Sequence, residues 1–142
     1  MIRRFARDSK AATAVEFAMI STVLIPLCFA IVGLGIVMWA KDSMQVAASL
    51  AARCGAEGVY GTTACTSTAG TQSYAADLVR TWLFGGTVGT DNIIAVSGAP
   101  TCRGAAGKFY VVSINSTYFA SGWLPPPLGG VTISVQACYP MA

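Results

Sequence analysis

From Phe17 to Ala40 the chain reads FAMISTVLIPLCFAIVGLGIVMWA, 24 residues without a charge. At about 1.5 Å per residue, a helix of this length reaches roughly 36 Å and crosses a hydrocarbon core of about 30 Å. Twelve of these positions are Leu, Ile, Val or Phe. At about −0.3 to −0.6 kcal/mol each they bring insertion to on the order of −5 kcal/mol. A secretory signal peptide also sets basic residues before an apolar run, but its apolar core is usually about 7 to 15 residues. This run is longer, and Lys41-Asp42 leads on into more helical sequence. Basic residues collect on the cytoplasmic side of a span. Arg3, Arg4, Arg7 and Lys10 precede this one and Lys41 follows it, so the N-terminus is expected in the cytoplasm and residues 41–142 outside.

Pro26 sits inside the run, removes a backbone donor and is expected to kink the helix. Gly33 and Gly35 leave a notch, although their spacing is not the four-residue one of close-packed membrane helices. Beyond the span, DSMQVAASLAARCGAEG is rich in helix formers and ends among Gly55, Gly58 and Gly61. One helix is predicted from about residue 12 to about 57, part in lipid and part in water.

Charge tells the same story and excludes other roles. Only 11% of residues are charged, against roughly 25% in an ordinary soluble domain. The formal +3 arises entirely from Arg3, Arg4, Arg7 and Lys10 against Asp8, and from residue 12 onward five basic side chains balance five acidic ones. No basic patch remains for nucleic acid. With no histidine and six carboxylates in all, a general base is scarce. Scattered Ser and Thr residues without a base, a metal cluster or a phosphate-cradling glycine loop give no catalytic site. The expectation is a protein that is not an enzyme, with no cofactor and no small-molecule substrate.

Past the Gly- and Thr-rich stretch 55–70, SYAADLVRTWLF sets Tyr74, Leu78 and Trp82 on one face, with Ser73 as the expected cap and Gly85-Gly86 as the stop. NIIAVS is a first strand, expected to end at the turn Gly98-Ala99-Pro100. In KFYVVSINSTYF, Tyr110, Val112, Ile114 and Tyr118 alternate with Ser113, Asn115 and Thr117. In VTISVQACY, Val131, Ile133, Val135, Ala137 and Tyr139 alternate with Thr132, Ser134, Gln136 and Cys138. Period two with one apolar side predicts antiparallel neighbours. The fold class is therefore α+β: a long N-terminal transmembrane helix continuing outside, a second short helix, and a three-stranded antiparallel sheet.

Four cysteines fall outside the span: Cys54, Cys65, Cys102 and Cys138. An even count in an oxidising compartment reads as two disulfides with three connectivities. Cys138 points to the wet face of the last strand, away from the helix carrying Cys54, which favours Cys102 with Cys138 and leaves Cys54 with Cys65. Loop entropy assigns roughly 3 kcal/mol to the shorter Cys54–Cys65 loop and roughly 4 to the longer Cys102–Cys138 loop. A metal site is a poor alternative, because there is no CxxC pair and no histidine. Cys28, inside the span, is expected to be a buried small apolar residue. The hairpin loop ASGWLPPPLGG is unusual. Pro125, Pro126 and Pro127 impose an extended conformation beside Trp123 and Leu124 that a partner groove would accept, whereas the plainer reading folds Trp123 back over the core.

At AATAVEFAMI, residues 11–20, a short basic leader, small residues and Glu16 at the threshold of the apolar run give way to Phe17. This is similar to a type IV pilin-like signal. More narrowly, AVEFAMI followed by Pro26, Phe29, Gly35 and the alanine-rich AASLAARCG resembles the TadE-like pseudopilins of the tight-adherence pilus machinery. The resemblance implies cleavage by a prepilin peptidase between Ala11 and Ala12, which makes Glu16 the fifth mature residue. Ala11 stands where the family favours glycine, and Phe29–Gly35 lacks the second carboxylate that many relatives carry. A pilin-like α+β order is implied too, as are partners among other pilins or pseudopilins and the assembly machinery, in a bacterial inner membrane with the C-terminal domain periplasmic or extracellular. The implied organisation is a leader over 1–11, a helix over 12–57 and an extracytoplasmic domain over 58–142.

A carboxylate beside hydrocarbon is costly unless paired. For Glu16 the implied partner is the new α-amine at Ala12 of a neighbouring subunit, which would set the axial register of packed helices. The alternative leaves Glu16 hydrated at headgroup depth, or paired with Lys10 on an uncleaved chain. The leading expectation is a minor pseudopilin-like structural or assembly subunit. The alternative is a signal-anchored binding or adaptor domain that is never processed.

Overall fold

A computed structural model describes residues 9–60, 63–83, 88–118 and 130–141. Helix α1 runs over Ser9–Glu57 and helix α2 over Thr68–Trp82. Two short strands, β1 (Val59–Tyr60) and β2 (Thr63–Ala64), form a ladder of their own. Strands β3 (Ile93–Cys102), β4 (Ala105–Tyr118) and β5 (Val131–Pro140) form an antiparallel sheet in the order β3-β4-β5. The fold is α+β, with a long apolar N-terminal helix, a short second helix and a three-stranded antiparallel sheet. The chain divides into one compact unit up to Met38 and another from Trp39 onward. The segment Trp39–Glu57 of α1 therefore belongs with the sheet.

In this sheet unit α1 buries Ala40, Met44, Ala47, Ala48, Ala51, Ala52 and Cys54. Their three- and four-residue spacings make one stripe, and its alanines let neighbours come close. One close approach is at Gly55, where an added Cβ would run into the Tyr110 ring of β4. The Tyr110 hydroxyl lies 3.0 Å from Thr71 Oγ1 of α2 in a buried contact, and Thr71 Oγ1 also donates to the Ser67 carbonyl at 3.1 Å. One tyrosine thus ties both helices to the sheet. Ile93, Val112, Ile114, Ile133 and Val135 fill the space between.

Helix α1 ends on Gly58, whose φ of 78° and N–H bond to the Cys54 carbonyl at 2.8 Å form a left-handed cap. The Cys65 N–H returns to the Gly58 carbonyl at 2.9 Å. The disulfide Cys54–Cys65 closes the same loop, with Cα atoms 5.5 Å apart. The second disulfide joins Cys102 to Cys138 across 6.4 Å. Cys102–Cys138 is the pair that strand facing favours, and Cys54–Cys65 is the one it leaves.

Several sequence expectations need correction. Helix α2 begins at Thr68 rather than near Ser73, because Ser67, in extended backbone, accepts the Gly70 N–H on its side chain at 3.1 Å. Ser73 instead donates to the Gly70 carbonyl at 2.9 Å. The buried face of α2 is Thr71, Ala75 and Val79. Tyr74 and Leu78 are half-buried and Trp82 is exposed. The smaller side chains let the helix approach β3, and the larger ones are pushed to its flanks.

Strand β3 does not stop at Gly98-Ala99-Pro100. It continues to Cys102 through two register shifts against β4, so these residues bend an edge strand as bulges instead of ending it. The turn is Arg103-Gly104, with φ of 48° and 89°. Two positive-φ residues give a two-residue hairpin the twist its strands require. The small ladder Val59↔Ala64 and Tyr60↔Thr63 lies where the sequence suggested only a loop.

Among the described residues, one carbonyl on each outer edge of the sheet is taken by a side chain. On β5, the Gln136 carbonyl accepts from Gln45 Nε2 of α1 at 3.2 Å and from Arg103 Nη2 at 3.1 Å. On β3, Gln72 Nε2 of α2 donates to the Ile93 carbonyl at 2.8 Å, and Pro100 brings no N–H.

Candidate assembly helix

Up to Met38, α1 is a helix with its apolar side chains outward. Val15, Phe17, Ile20, Val23, Ile25, Leu27, Phe29, Ile31, Leu34 and Met38 are all exposed, Phe17 at 73% and Phe29 at 72%. A helix that is apolar all round belongs in a membrane or a large core, and the described residues of this unit supply no core. Within α1, Thr13–Glu57 contains a window long and apolar enough to cross a membrane. That fits a single-pass membrane protein. The helix is continuous through Pro26, although the Thr22 carbonyl loses its usual donor there. Thr22 Oγ1 donates to the Met19 carbonyl at 2.7 Å, one turn earlier. Cys28 is a free cysteine on the helix surface, uncovered by protein rather than buried in it.

Glu16 lies exposed among these residues, and no described side chain pairs with it. The Ala11–Ala12 bond lies in the first turn of α1. Leader residues 1–8, and the loop with Trp123, Leu124, Pro125, Pro126 and Pro127, lie outside the described residues. So does the side chain of Tyr118.

At the other end of the helix three interactions went unread in the sequence. Glu57 Oε1 accepts from Arg53 Nε and from the Tyr139 hydroxyl, each at 3.0 Å. The Arg53 bond first, then the Tyr139 bond, hold its carboxyl below the usual 4.5. Trp39 Nε1 donates to the Trp82 carbonyl at 3.5 Å. Arg103 and Gln45 meet on the Gln136 carbonyl. Of these only the Arg53/Glu57 spacing of four carried a sequence signal.

Curated proteins and solved structures offer no match to this chain. The part of α1 that carries Glu16, the apolar run and the alanine stripe is different: residues 11–53 match the model of the TadE-like protein family, which points to a pseudopilin-type subunit associated with the tight-adherence pilus.

Proposed function

We propose that this chain is a minor pseudopilin-like structural or assembly subunit of a tight-adherence pilus or a related secretion apparatus, joined to its neighbours through α1. The observation that carries the reading is an uncovered apolar helix bearing one carboxylate at its start, within the segment that is TadE-like. The role is mechanical rather than catalytic. The basic leader holds the N-terminus on the cytoplasmic side of the bacterial inner membrane and the sheet unit outside. A prepilin peptidase cuts between Ala11 and Ala12 and frees an α-amine. Glu16 meets the amine of a neighbouring subunit, since a carboxylate left unpaired beside hydrocarbon is costly. That pairing fixes how far one helix slides along the next, and the sheet unit selects which neighbours fit.

The test is recovery of co-assembled pilins with the tagged full-length chain from piliated cells. Replacing Glu16→Ala is expected to lower recovery about tenfold, the equivalent of about 1.4 kcal/mol of lost pairing. Unchanged recovery leaves Glu16 a hydrated boundary residue and removes the register mechanism. Mass spectrometry of the membrane-bound chain is expected to find an N-terminus at Ala12. A start at Met1 or Ile2, in cells that hold the peptidase, favours the signal-anchored adaptor instead.

A further inference from the structure

Trp39 is the last residue but one of the apolar run, and exposed Lys41 and Asp42 follow it at once. Its indole is 55% exposed. Trp82, at the last position of α2, is 53% exposed. The two are far apart in sequence, yet the Trp39 N–H reaches the Trp82 carbonyl. Single exposed apolar residues are ordinary on a protein surface. Two exposed tryptophans held together at the end of a membrane-crossing run are not a scattered pair. An indole joins an apolar ring to a polar N–H and concentrates where hydrocarbon meets headgroups. Here the N–H of Trp39 is already satisfied by protein, so its ring can enter the acyl boundary without an unpaired donor. Arg80, exposed in the last turn of α2, sets a cation beside Trp82 on the same helix end, where headgroup phosphates lie.

We infer that Trp39 and Trp82 form a lipid-binding surface that seats the C-terminal end of α2 in the outer-leaflet headgroup boundary of the membrane crossed by α1. The inference rests on reading Phe17–Ala40 as a span, and it adds a second point of membrane contact that the span does not require. Trp39 fixes the depth. The bond to Trp82 carries that depth to the C-terminal end of α2.

The experiment uses the full chain in vesicles of phosphatidylcholine and phosphatidylglycerol, with bromines either just below the headgroups or near the chain ends. Trp82 is the sole emitter in a W39F/W123F chain, and F29W in a chain with all three native tryptophans replaced by phenylalanine reports the span itself. Shallow bromines are expected to quench Trp82 about twofold and deep ones far less, the depth of an interfacial indole. Residue 29 is expected to show the reverse. If Trp82 is quenched by aqueous iodide and not by lipid while residue 29 is quenched deeply, and the Trp82 fluorine line in the unaltered chain also stays sharp, the surface is refuted and the span stands. If residue 29 is also aqueous, span and surface fall together. A Trp82 shielded from both iodide and bromine is covered by protein, which also overturns the proposal. Because W39F removes the bond to Trp82, 5-fluorotryptophan in the otherwise unaltered chain provides the second measurement. Headgroup-attached nitroxide is expected to broaden the Trp39 and Trp82 resonances together, and a sharp Trp82 line refutes the inference.

Discussion

Glu57 receives two donors on one oxygen, from Arg53 on its own helix and from Tyr139 on β5. Its carboxyl is held below the ordinary value, so the folded chain binds fewer protons there than the unfolded one. The contribution is complete above the ordinary carboxylate value of 4.5 and disappears as pH falls through the lower folded value. Glu57→Gln is thus expected to lower the unfolding midpoint at neutral pH, with the difference from the parent closing in acid. Denaturation of both chains across pH 3 to 7 checks it. Gly55 makes a steric prediction: Gly55→Ala drives a methyl into the Tyr110 ring, an overpacking expected to cost about 1–3 kcal/mol. Tyr110→Phe keeps the ring and loses the contact with Thr71, at about 1 kcal/mol. Urea midpoints rank the two. The two disulfides were legible because an even cysteine count and the facing of Cys138 single them out. The Gly55 approach was not, because a glycine among glycines near a helix end reads as a stop, and only the fold brings an aromatic ring over it.

Ser67 caps α2 from a Gly- and Thr-rich stretch, in which Thr68 and Gly70 have little intrinsic helix preference. The cap supplies what propensity lacks, and Ser67→Ala is expected to cost about 1 kcal/mol and fray the helix back toward Ser73. Hydrogen exchange at residues 70–72 reads that fraying directly. The disulfides act on longer pieces of chain. C54S/C65S and C102S/C138S are expected to lose roughly 3 and 4 kcal/mol, with the larger loss for the pair that ties the β3–β4 hairpin to β5. Thermal melting of the oxidised double variants compares them. The long helix was legible from an unbroken uncharged apolar run followed by helix formers, and the second and third sheet strands because each repeats period two cleanly over many residues. Gly98 and Pro100 are turn residues by composition, so the sequence pattern alone ends β3 too early. They are compatible with an edge strand that bulges, a role only its position in the sheet reveals.

At the scale of the molecule the two compact units differ in what surrounds them. One presents apolar side chains outward, and the other keeps Met44, Ile93, Val112 and Ile114 within itself. The TadE-like match ends at residue 53, just short of the first disulfide. The proposed cut between Ala11 and Ala12 makes a prediction at this scale: Ala11→Gly is expected to raise the fraction of chains starting at Ala12, measured by intact mass, because the resembled signal favours glycine before the cut.

The guarded outer edges of the sheet bear on what happens when many copies crowd into one patch of membrane. A bare strand invites the same strand of a neighbour, and the result is an unregulated stack. Here the Gln136 carbonyl is occupied twice, Gln72 holds one end of the opposite edge, and a proline interrupts its hydrogen-bonding rhythm. On the proposed assembly through α1, copies set side by side would meet sheet edges that offer fewer free groups for strand-to-strand pairing.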